Sequence, residues 1–260
     1  MTHYASISQK QTSEPFELQL ARGQILGHRH VHKFGYNDAV GNSTETIWFQ
    51  GAAYTWPTAA ALLEITSTHN TEDVTAGDGA QTVILEGLDA NYAEISEEVT
   101  LTGQTAATTA KSYLRLHRMY VNRTGTNATN TGVIYAANAS GSHSTGTPTD
   151  VSLIYSTIGA TEGQTLQCFY TVPAGYTAYL VSVSGGSSDG TNATTLTLKA
   201  RTLGSGFRSK DKFIVFKSHQ SHPYPVPTKF LEKTDLELQG IAAASTTDVA
   251  ADFDLILVSN

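Results

Sequence analysis

Cysteine, charge and long apolar runs are all scarce in this chain. Among 260 residues there is one cysteine, Cys168, so no disulfide can close within the chain and the fold must rest on its core. Cys168 lies in an apolar run over 166–170, which predicts a buried, inert thiol rather than a reactive one. A chain of this size without disulfides fits assembly in a reducing cytoplasm. Charged residues are only 15% of the total and acids outnumber bases, for a net charge of −7. That balance argues against general nucleic-acid binding, which needs a surplus of Lys and Arg. No stretch approaches the ~20 apolar residues of a membrane helix. Residues 1–10 lack the apolar core of a secretory signal. The expectation is a soluble chain, not secreted by that route, with neither nucleic acid nor membrane as a partner.

Catalytic signatures are missing too. No Gly-x-Ser-x-Gly elbow, P-loop, dinucleotide fingerprint or His-Glu-x-x-His occurs, and each of those spacings is demanded by its chemistry. The reading is therefore of a protein that is not an enzyme, with no catalytic residues, no cofactor and no assigned metal ligand.

What fills the sequence is Thr, Ser, Ala, Gly and Asn around a 40% hydrophobic fraction. That mixture suits short strands and many turns and is enough to bury a core. Residues 165–183 read as a strand, a tight turn at Pro173, Ala174 and Gly175, and a second strand. Proline presets φ for a turn and glycine tolerates φ > 0. Residues 82–101 repeat this grammar around Asp89, Ala90 and Asn91. Residues 16–20 alternate like a strand, and residues 112–122 read as a long strand with neither face wholly apolar. After 150, strand-like runs recur at 151–156, 164–171, 178–184, 194–201, 212–218, 235–240 and 249–258, the rhythm of a β-sandwich or jelly roll. The predicted fold is all-β, with two antiparallel β-sandwich or jelly-roll-like domains. The parts are a flexible N-terminal arm (1–20), a first β-domain (21–140), a small polar linker (141–150) and a second, jelly-roll-like domain (151–260).

Several residue groups are candidates for function. His28, His30 and His32 alternate, so on a strand all three imidazoles line one face. They could hold a metal ion or gain charge near pH 6, but neither Asp38 nor Glu45 completes a metal motif nearby. A solvated or interface strand is the simpler reading. Glu94, Glu97 and Glu98 beside Asp89 offer a carboxylate group, against which a solvated strand face is the ordinary alternative. Lys199, Arg201, Arg208, Lys210, Lys212 and Lys217 concentrate basic charge within an acidic chain and could dock an acidic surface. Trp48, Tyr54, Trp56, Tyr176 and Tyr179 could form a sugar-stacking platform or simply pack in the core.

Three segments carry a resemblance: TVILEGLDANYAEISEEVTLTG at 82–103, SYLRLHRMYV at 112–121 and EGQTLQCFYTVPAGYTAYL at 162–180. Together they resemble the β-rich virion structural proteins of tailed bacteriophages. The resemblance implies a non-enzymatic particle component located in the virion and assembled in the host cytoplasm. Its first form is a capsid decoration (cement) protein bridging major capsid subunits. Its partners would be the major capsid protein or another virion protein, and further copies of itself as a dimer or trimer. A neck, tail or fibre-attachment protein is the alternative within that class, and a carbohydrate-binding adhesin module is the alternative outside it.

Overall fold

The computed structural model describes residues 14–244 and 246–260, so the arm expected over 1–20 lies outside the described residues as far as 13. Eight strands make two facing sheets. One has the order β1 (His28–Val40), β18 (Thr247–Ser259), β13 (Tyr176–Ser187), β16 (His219–Phe230). The other has the order β12 (Phe169–Thr171), β17 (Asp235–Ala242), β14 (Thr194–Arg201), β15 (Arg208–Val215), with the short β2 (Glu45–Thr46) against β17. All pairings are antiparallel. From β12 onward only β14 and β15 are joined as a hairpin, and every other connection crosses between the sheets. This is the double Greek-key order of a jelly roll.

Sequence alternation explains why these strands face each other. In β18, Val249, Ala251, Phe253, Leu255 and Leu257 are buried, while Ala250, Asp252, Asp254 and Ile256 between them are not. The inward set meets Leu196 and Leu198 of β14, Leu236 and Leu238 of β17, and Phe213 and Val215 of β15. Burying one such Leu or Phe stabilises the fold by about 1.5–3 kcal/mol. Gly35 lets β1 cross close to its neighbours, because a Cβ there would sit 2.2 Å from the Ile47 carbonyl oxygen.

Between β2 and β12 the chain leaves the jelly roll and builds a second sandwich. One of its sheets is β11 (Ile154–Ile158), β8 (Ile134–Asn138), β3 (Leu63–Ser67) and β6 (Ala107–Thr108). The other is β5 (Glu94–Thr100), β4 (Ala80–Leu88) and β7 (Arg115–Thr124). Leu63, Ile65, Leu85, Leu101, Leu116, Met119, Ile134 and Ile158 fill the space between them.

This partition differs from the one read along the sequence. The strand at 28–40 pairs with β18, near the other end of the chain, and β11 joins the inserted sandwich through β8. The expected linker at 141–150 contains a small hairpin, β9 (His143–Ser144) with β10 (Thr147–Pro148), whose turn accepts a 2.7 Å hydrogen bond from Thr66 Oγ1 at the Gly146 carbonyl.

Three local expectations are corrected. Residues 16–20 are not a strand. Phe16–Ala21 form helix α1, begun by Pro15, which fixes φ at its N-cap, and packed on β1 through buried Leu20. Five alternating residues are too few to separate the two periods. The turn at Pro173–Gly175 exists, with Gly175 at φ +78, but its flanks do not form a hairpin. β12 and β13 belong to opposite sheets, because Tyr170 and Val172 on one arm and Ala178 and Leu180 on the other all face the common core. The true hairpin is β4–β5, where Asp89 Oδ1 accepts from the amides of Asn91 and Ala93 at 2.8 and 2.9 Å. Finally, β16 lies between the expected strands at 212–218 and 235–240, where Pro223, Pro225 and Pro227 interrupt any strand signal. It is an edge strand with a wide bulge after Pro223, a place where missing N–H groups cost nothing.

Candidate functional site

Two polar regions stand out on the jelly roll, one inside its seam with the inserted sandwich and one on its outer face. The seam is built around Asp235 of β17. Arg115 of β7 grips it bidentately, Nε to Oδ1 at 3.0 Å and Nη2 to Oδ2 at 3.1 Å, and both side chains are buried. Arg201 of β14 adds a 2.9 Å bond to Oδ2, and Thr171 donates to Oδ1 at 2.5 Å. The Trp56 ring lies beneath both guanidinium groups, 5.0 Å from Arg115 and 5.4 Å from Arg201, while its indole N–H donates to Glu237 at 2.9 Å. Strands from both sandwiches therefore share one satisfied network, the condition under which buried ions are tolerated.

Nearby, a register shift in β4–β7 leaves His117 as an extra residue on β7. The bulge turns its ring onto Tyr170, with centroids 4.1 Å apart, and its Nε2 accepts from the Thr171 amide at 3.2 Å. Burial and then the charges of Lys33, Arg115 and Arg29 hold His117 well below the usual histidine pKa, so the ring is neutral. Lys33 of β1 is buried and donates to the His117 carbonyl, which also accepts from Gln167 at 3.1 Å. Burial chiefly pulls its pKa from 10.5 to about 8. A cleft of about 520 Å³ opens between β1 and the inserted sandwich over Lys33, with Glu86, Glu94 and Arg118 on its walls.

On the outer face of the β1–β18–β13 sheet two of the three expected histidines converge on one carboxylate. His30 Nε2 and His32 Nδ1 each lie 2.8 Å from Asp254 Oδ1. His28 stands apart, its Nδ1 3.0 Å from the Leu26 carbonyl. Register places His32, Asp254 and Ser182 in one cross-strand row and Phe34, Asp252 and Ser184 in the next. Ser182 donates to Asp254 Oδ2 at 2.7 Å, and Ser184 donates to Asp252 Oδ2. Burial raises the Asp254 pKa, but its bonds from Ser182, His32 and His30 outweigh this and hold it below the ordinary range. Helix α1 walls one side, where a cavity of about 540 Å³ is lined by Phe16, Leu20, His30, Tyr224 and Asp254.

The remaining expectations resolve individually. Glu94, Glu97 and Glu98 do not converge. Glu94 pairs with Arg29 at 2.5 Å, Glu97 accepts from the Ala110 and Lys111 amides, and Glu98 accepts from Thr82 and Asn122. Trp48 and Tyr54 are buried against Phe169, and Tyr176 lies under the Arg29 guanidinium 4.5 Å away, so with Trp56 covered by two arginines these rings do not make a common platform. Cys168 is buried, and burial drives its thiol pKa well up. Of the basic group, Arg201 turns inward to Asp235, whereas Arg208, Lys210 and Lys212 lie exposed along β15.

Sequence reasoning missed Asp254 as the partner of His30 and His32, because it lies 222 to 224 positions away. The available signal was acid at alternate positions on a strand otherwise apolar, a pattern that leaves the outer face polar. Nothing local marked the Arg115–Asp235 pair.

No family model and no curated protein matches the chain. Among solved structures it is similar to a chain in the structure of the infectious bursal disease virus Gt strain, at 10% identity and TM-score 0.23 over 95% of this chain and 78% of that one. A chain of the T13 IBDV viral particle gives 11% identity and TM-score 0.25 over 90% and 70%. Likeness at this level carries no argument about fold or function.

Proposed function

We propose that this chain is a non-enzymatic structural component of a virus particle. In its specific form it is a capsid decoration (cement) protein of a tailed bacteriophage that bridges major capsid subunits. Jelly rolls serve as capsid modules, lectins and cupins. Here the space between the sheets is filled by apolar side chains, and of the aromatic rings expected to bind sugar Trp48 and Tyr54 are buried while Trp56 and Tyr176 lie against arginines. The surface left to work with is the side of the jelly roll away from the inserted sandwich.

The observation that carries the reading is the character of that side. β15 and β16 are the end strands of the two sheets and are tied across the layers by Tyr224 donating to Asp211 at 2.5 Å. Along β15 and just beyond it, Lys210, Lys212, Ile214 and Phe216 alternate outward, and Val226 of β16 and Leu231 just after it are exposed as well. Residues 199–233 hold eight of the chain's sixteen basic residues and two of its 23 acids. That stretch therefore carries +6 while the rest carries −13 within the total of −7. An apolar strip edged with lysine fits an acidic partner surface with an apolar centre. The prolines of β16 and the outward lysines of β15 discourage strand addition at either edge, so docking is through side chains. A stable contact would bury on the order of 1,000 Å² or more.

The test is occupancy on purified particles. The double substitution Lys210→Glu, Lys212→Glu should release the protein at moderate salt while leaving its unfolding midpoint within about a degree or two, because both side chains are exposed and changes of that kind are worth about 0.5 kcal/mol or less. Retention of the variant at wild-type copy number would remove β15 as the docking edge.

A further inference from the structure

The structure assigns a divalent transition-metal site to His32, Asp252 and Asp254 on the outer face of the jelly roll, and we propose that it takes Zn²⁺ or an ion of similar preference. The three side chains each offer a ligand atom, and these atoms all lie within 4.8 Å of one another. An ion with bonds of about 2.0–2.2 Å to imidazole nitrogen and carboxylate oxygen requires tetrahedral ligand atoms roughly 3.3 Å apart. His32 Nδ1 and Asp254 Oδ1 already stand 2.8 Å apart, so small side-chain rotations complete the set. The mixture of one imidazole and two carboxylates selects a borderline ion over one that prefers oxygen alone.

Two further features are those of a built site rather than of a chance surface cluster. Each carboxylate has its Oδ2 committed to a serine on the next strand, Ser182 for Asp254 and Ser184 for Asp252, so the ligating oxygen is Oδ1, which in Asp254 faces both His32 and His30, the latter a further outer partner. His219 Nε2 in turn lies 3.2 Å from Ser184 Oγ. Outer partners of this kind orient ligands and raise affinity. The ligands also stand on adjacent strands of one paired sheet, and the His32 ring is stacked on Phe34 with centroids 5.5 Å apart. His32 is exposed and the two aspartates half-buried, so an ion would keep a position open to water or to a group from a neighbouring molecule. This site is separate from the β15 edge and does not depend on the virion reading.

The experiment is Zn²⁺ titration of the untagged, chelator-stripped full chain by calorimetry, repeated with Co²⁺ to read the visible spectrum of the bound ion. One equivalent should bind at micromolar concentration. His32→Ala and the isosteric Asp254→Asn should each weaken it at least ~100-fold, and Ser184→Ala about tenfold, the range for outer partners. His28→Ala, on the same strand but outside the cluster, should leave it unchanged. Circular dichroism checks that each variant is folded, and Asp254→Asn carries the test if His32→Ala is not. Absence of a one-equivalent event up to millimolar Zn²⁺ would overturn the assignment, and so would equal affinity in folded Asp254→Asn.

Discussion

Lys33 is the residue whose replacement says most about how the two sandwiches meet. Its ammonium is buried under the inserted sandwich against the His117 carbonyl, and its pKa falls from 10.5 to about 8. At about 1.4 kcal/mol per tenfold change in acidity, holding it charged at neutral pH costs the fold about 3 kcal/mol relative to a neutral side chain. Lys33→Met keeps the length of the side chain, and Gln167 still donates to the His117 carbonyl. The variant should therefore be more stable than the parent at pH 7, by up to about 3 kcal/mol. The pH dependence fixes the sign. Between about pH 8 and 10.5 the unfolded parent binds a proton at Lys33 that the folded parent has lost, so parent stability rises with pH there. The gap between variant and parent should shrink across that window and be constant below it. Urea denaturation at pH 7, 8, 9 and 10 measures it, and taking the difference cancels tyrosine titrations common to both proteins. A gap that stays flat from pH 7 to 10, or a variant destabilised at every pH, would refute the burial of the Lys33 ammonium.

Other outcomes follow from the same contacts. Asp235→Asn removes the charge that faces buried Arg115, so unfolding should cost about 3–5 kcal/mol less, read by chemical denaturation. Tyr155→Phe removes a buried hydroxyl that has no hydrogen-bond partner, so stability should hold or rise by about 1 kcal/mol in thermal melts. Gly175→Ala places a Cβ at φ +78 with open space around it, so its cost should be strain alone, about 1–2 kcal/mol.

How much of this was legible depends on how far apart the cooperating residues lie. The β4–β5 hairpin could be read because its signal is local, with Asp89 capping its own turn. β14 and β18 could be read because a half-buried strand prints its alternation in the sequence. The arch at Pro173 could not be told from a hairpin, since both need the same turn residues and only the partners of the flanking strands decide. β16 was hidden because edge prolines look like loop. The three histidines were visible as a strand face, but Asp254 belongs to the last strand of the chain, and pairing of β1 with β18 is a property of the whole topology. For the same reason the insertion of one sandwich inside another left no mark on composition.

The most direct test of the central claim is to image and quantify purified particles from cells making this protein. Cryo-electron microscopy with quantitative mass spectrometry should find many symmetry-related copies on the capsid, with the β15–β16 side buried against the shell. Absence of the protein from particles would contradict the account. So would a count of a dozen or fewer confined to a ring at the neck or tail, where closed symmetry limits the number.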